Sequence, residues 1–122
     1  MKIQLPVWLA VNVAFLFLQP ASAEDSDFDH FFARFKQNVQ NNNKTGIASM
    51  TRLPFSLNGK QLNKAQFLSQ SDKIFTAAVR RCILKGHPTR DKNSYFVFCG
   101  AKIYVFSKVN EQYLFTDIDA ND

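Results

Sequence analysis

Phe28, Phe31, Phe32 and Phe35, with Val39 one turn on, recur at the spacing of a single helix face. At about 100° per residue their side chains form a stripe about 100° wide, and His30, Ala33, Arg34, Gln37 and Gln40 fall opposite it. A stripe this aromatic must be covered, so the chain has to build a second layer against it. The helix is expected to begin at Ser26-Asp27-Phe28-Asp29. There the serine oxygen takes an unpaired N–H, and the acids suit the positive helix end. Asn41-Asn42-Asn43 ends it.

Upstream, Lys2 precedes the apolar run Val7 to Leu18, which Pro20 breaks and Ala21-Ser22-Ala23 follows. This is the pattern of a secretory signal peptide over residues 1–23, cleaved before Glu24. The run is about a dozen residues, short of the roughly 20 that span a bilayer, and Asn12 interrupts it. The expected product is one domain, residues 24–122, periplasmic or secreted, with no stable membrane span after cleavage. Phe15 and Phe17 leave with the leader, and the +5 formal charge of the precursor loses Lys2.

A domain this small buries little more than about 60% of its unfolded surface, and export makes a disulfide available as reinforcement. Cys82 and Cys99 are an even pair, and bridging them closes a loop of about 18 residues, contributing roughly 3 kcal/mol by the chain-entropy estimate. Their spacing is far from the C-x-x-C of a redox pair. Two Cys and two His fit no zinc-finger spacing, so neither metal nor cofactor is expected.

After the first helix, Thr45 to Met50 reads as a short helical piece with Ile47 and Met50 inward. Leu53-Pro54-Phe55-Ser56-Leu57 alternates as a strand running into the turn Asn58-Gly59, and Pro54 places it at an edge or at its start. Asn63 with Gln66 opens another helix, whose apolar set from Phe67 to Ile83 keeps helical spacing as one long helix or two joined near Thr76. Lys85, Gly86 and Pro88 mark its end. Tyr95 to Cys99, Lys102 to Val109 and Gln112 to Ile118 read as strands, broken at Gly100 and Asn110-Glu111 and forming an antiparallel meander.

This order, with Phe28-x-x-Phe31-Phe32-x-x-Phe35, the stretch Asn42 to Met50 and Leu53-Pro54-Phe55, resembles the nuclear-transport-factor-2-like superfamily, which includes ketosteroid-isomerase-like domains. The resemblance implies an α+β cone in which N-terminal helices pack on a curved antiparallel sheet. A cystatin-like sheet wrapped on a helix is the alternative. Members of the superfamily hold a pocket between helices and sheet. Some are isomerases, hydrolases or dehydratases with an acid or histidine inside, and others bind proteins or small apolar ligands. No Asp or His here matches a catalytic motif, so no catalytic residue carries over.

His30 lies opposite the aromatic stripe, where a surface histidine sits, and His87 follows the second helix, where it can serve the last carbonyls. No Ser or Cys has a nucleophile context. The charge is uneven. Residues 73–92 hold Lys73, Arg80, Arg81, Lys85, Arg90 and Lys92 against Asp91 alone. Arg81 and Lys85 share a helix face at i, i+4. With His87, these are the candidate residues for an acidic exported or envelope partner, a small anionic ligand or an anionic membrane surface, while a small apolar ligand at an open end of the fold is a further option. Export and the lack of any nucleic-acid module argue against nucleic acid. The function expected is that of a small, exported, non-catalytic binding domain, with a periplasmic inhibitor or immunity protein as one form of it. An isomerase- or hydrolase-type enzyme is the alternative.

Overall fold

A computed structural model of the chain describes residues 23–121. Apart from Ala23, the expected signal segment lies outside the described residues. In chain order the elements are α1 (Ala23–Gln40), α2 (Lys44–Ser49), β1 (Phe55–Leu57), β2 (Lys60–Leu62), α3 (Lys64–Ser69), α4 (Ser71–Ile74), α5 (Ala77–Lys85), β3 (Thr89–Asp91), β4 (Ser94–Cys99), β5 (Lys102–Val109) and β6 (Gln112–Ala120). The class is α+β: helices and one hairpin, then an antiparallel sheet in the order β3-β4-β5-β6.

Helix α1 buries Phe28, Phe31, Phe32, Phe35 and Val39 and exposes His30, Ala33, Arg34, Gln37 and Gln40, as the spacing requires. It does not begin at Ser26. The helix already runs at Ala23, so Ser26 lies within its first turn instead of capping it. Asp25 in that turn accepts hydrogen bonds from Arg90 Nη1 at 2.7 Å and the Tyr95 hydroxyl at 2.6 Å, which tie the early turn to the sheet.

The long helical pattern from residue 63 to 85 is cut into three. Asn63 and Gln66 form a reciprocal capping box on α3, at 2.9 and 2.8 Å. A second break falls at Phe75-Thr76, where Thr76 Oγ1 accepts from the Val79 N–H at 3.2 Å and starts α5 afresh. The apolar spacing persists because every piece turns the same face inward: Phe67 from α3, Ile74 from α4 and Ile83 from α5 are all buried.

Pro54 shortens the first strand to Phe55–Leu57, which pairs with β2 across the Asn58-Gly59 turn. Strand β3 was not expected. Thr89, Arg90 and Asp91 are all exposed and give no alternation to read, yet they pair with Phe96, Tyr95 and Ser94. The segment after α2 is tied to β6 by Phe115 N–H to Met50 O at 2.8 Å and Arg52 N–H to Phe115 O at 2.9 Å.

Tyr95 from β4, Phe106 from β5, and Tyr113 and Phe115 from β6 meet the α1 stripe, and Val97 and Tyr104 are buried in the same core. Phe28 stacks on Tyr95 with centroids 3.6 Å apart and planes 4° from parallel, while Phe106 and Phe115 are 5.0 and 5.9 Å from Phe35. The expected Cys82–Cys99 bridge is present, with Cα atoms 5.8 Å apart, and staples α5 to β4.

Candidate functional site

The basic residues picked out by the sequence divide into two groups. Arg80 is half-buried and donates from Nη1 to the Phe75 carbonyl at 3.0 Å, which clips the start of α5 to the turn before it. Arg90 pairs with Asp25, and its guanidinium lies 5.9 Å from the Tyr95 ring centroid. Both cations are therefore engaged within the fold, Arg80 half-buried and Arg90 exposed. Lys73, Arg81, Lys85 and Lys92 are exposed, and no ion pair among the described residues engages them. Arg81 and Lys85 share the face of α5 turned away from Ile83, so the helix presents two adjacent cations to solvent.

His87 is exposed beyond α5 and lines a cleft of about 360 Å³. Phe28, Phe32 and Tyr95 contribute aromatic surface to that cleft, and Lys36 and Asp29 contribute charge. Gly86 makes the site's geometry. A Cβ there would meet Val97 Cγ1 at 2.9 Å and the Cys82 carbonyl at 3.1 Å, so only glycine lets the chain leave α5 this close to β4.

His30 lines a different cleft, of about 410 Å³, between α1, the end of α2 and the β5–β6 turn. Asp27 and Arg34 from α1 and Glu111 from the turn share it. The structure therefore keeps the two imidazoles apart and places each at the surface.

The zone between helices and sheet is occupied by rings. Phe35, Phe75, Tyr104, Phe106 and Phe115 are each at most 1% exposed and contact one another. The Tyr104 hydroxyl donates to the Ile74 carbonyl, and burial pushes its pKa up to about 12. Tyr95 is likewise raised, first by burial and then by its bond to the Asp25 carboxylate. Both phenols are held neutral as structural donors.

Sequence reading missed the Asp25–Arg90–Tyr95 cluster, whose members stand 65 and 70 residues apart and share no local signal. It also missed Glu111. The available signal there was a glutamate at the second position of a two-residue turn, where glycine is the usual occupant.

The chain matches no family model, no curated protein and no solved structure.

Proposed function

We propose that this protein is an exported, non-catalytic binding domain that engages an acidic protein partner through the cationic face of α5 and the turns beside it. The observation that carries this reading is the contrast between a ring-filled interior and the exposed Arg81 and Lys85, which form no ion pair among the described residues. Lys73 and Lys92 are exposed cations as well, and His87 stands just past the end of α5. Charge of one sign on a rigid face speeds encounter with an oppositely charged surface and selects against basic ones.

Two features support an envelope or extracellular setting: the leader pattern before Glu24 and a disulfide compatible with an oxidising compartment. Among the described residues, no helix is long and apolar enough to cross a membrane. The order helix, helix, hairpin, helices, four-stranded meander supports a nuclear-transport-factor-2-like architecture in which the pocket has given way to packing. The isomerase or hydrolase alternative needs an acid or imidazole inside. Surface placement of His30 and His87 in separate clefts favours binding, in the manner of a small inhibitor or immunity protein.

The test is capture from the extracytoplasmic fraction of the producing cell by the immobilised, disulfide-bonded protein. An acidic protein should be retained at low salt and released as ionic strength rises toward about 0.5 M. Arg81→Glu with Lys85→Glu should lower retention at least about 10-fold with an unchanged melting temperature. Equal retention by the reversed variant would remove α5 from the interface.

A further inference from the structure

The cleft at His30 has two unlike ends. Asp27 precedes Phe28, whose ring is 5.3 Å from Tyr113, and Glu111 lies two residues before Tyr113, so both carboxylates stand toward that end. Arg34 is seven residues beyond Asp27, about 10 Å along the helix axis. Met50 marks this second end, since its Sδ accepts from Asn38 Nδ2, one turn past Arg34, at 3.3 Å. Arg34 gives Nη1 to its own helix at the His30 carbonyl, 3.3 Å away, and its remaining donors are left for other acceptors. Met50 lines the cleft with apolar surface, and the edges of Phe31 and Tyr113, 4% and 6% exposed, back it.

Glu111 provides an independent observation. The β5–β6 turn has both central residues in the left-handed region, Asn110 at φ +51° and Glu111 at φ +69°. The β1–β2 turn of the same protein uses Asn58 at +51° and Gly59 at +79°, the residue pair this geometry favours. Glutamate is strained where glycine is not, and here the strained residue stands at the rim of a cleft.

We propose that this cleft binds a short peptide by its two termini. The ammonium group lies at Asp27 and Glu111, the carboxylate lies on Arg34, and one apolar side chain rests against Phe31 and Tyr113. A peptide of two or three residues, extended at about 3.5 Å per residue, spans about 7 to 10 Å and reaches both ends, whereas a single amino acid does not. Neither Arg81 nor Lys85 lines the cleft, so this site is separate from the α5 surface.

Titration calorimetry with alanyl-leucyl-alanine carrying free termini tests the proposal, with the N-acetylated and C-amidated forms as comparisons. The free peptide should bind saturably, and each blocked form should bind at least about 10-fold more weakly. Arg34→Gln should weaken the free acid about 10-fold and leave the amide unchanged. Glu111→Gly should raise the melting temperature by relieving the turn while weakening the free-amine peptide about 10-fold. No saturable binding at millimolar peptide, equal binding of the blocked forms, or wild-type affinity in Glu111→Gly would each overturn the proposal. So would a Glu111→Gly melting temperature no higher than that of the wild type.

Discussion

Phe35→Ala removes a ring that is 0% exposed, with centroids at 5.0 Å to Phe106, 5.9 Å to Phe31 and Phe115, and 6.1 Å to Phe75. Those neighbours belong to α1, β5, β6 and the turn after α4, and each is tied to a different element, so they can close over the hole only in part. The cost should therefore fall in the upper part of the range for such truncations, about 4 kcal/mol or more. A domain near 100 residues has roughly 5 to 15 kcal/mol in total, so the variant should approach its unfolding threshold. At about 4 to 8 °C per kcal/mol, the melting temperature should drop by at least about 16 °C. Phe98→Ala is the matched control. Its ring is 50% exposed and makes one edge contact with Phe96 at 6.5 Å, so its loss should cost about 1 kcal/mol or less. Urea unfolding followed by far-ultraviolet circular dichroism gives both midpoint and slope. A Phe35→Ala cost below about 1.5 kcal/mol at unchanged slope would mean that the interior tolerates a void as a ligand pocket does. The packed-core argument for a binding role would then fall with it.

Replacing Cys82 and Cys99 together by serine should lower stability by about 3 kcal/mol, the chain-entropy value for a separation of 17 residues. A loss under about 1 kcal/mol by urea titration would show that the bridge constrains little. Tyr104 predicts an alkaline limit. Its folded pKa of about 12 lies above the unfolded 10.0, so its stabilising contribution is complete below pH 10 and disappears as pH rises toward 12. The full effect is at most about 3 kcal/mol. Tyr104→Phe should flatten the fall in urea midpoint between pH 9 and pH 11.5 relative to the wild type, and an identical slope would contradict the assignment.

The parts of the fold legible in the sequence were those whose physics is local. The aromatic stripe of α1 was readable because burial repeats every turn, and the α5 stop was readable because Lys85, Gly86 and Pro88 each act on the backbone beside them. The breaks inside residues 63 to 85 were not readable as three helices, because an apolar period runs on across a break when the pieces share one core. Strand β3 escaped because its pairing is specified by the strand beside it. Tyr95 and Phe96 supply the partners, while Thr89, Arg90 and Asp91 lie on an exposed edge and need no apolar alternation of their own.

The same distinction governs the site. A count of charge along residues 73 to 92 treats every cation as available, but availability is decided by what the fold brings to each one. Asp25 reaches Arg90 across 65 residues, and the Phe75 carbonyl takes Arg80, whereas Arg81, Lys85, Lys73 and Lys92 are exposed and enter no ion pair among the described residues. Conversely, Asp27, His30 and Arg34 look like ordinary solvated residues on a helix wheel, and they form a cleft only because the β5–β6 turn folds over beside them. Local spacing therefore identifies faces, and tertiary pairing decides which of their charges remain for a partner. Charge reversal on α5 and relief of strain at Glu111 probe the second of these, since neither substitution disturbs a buried contact.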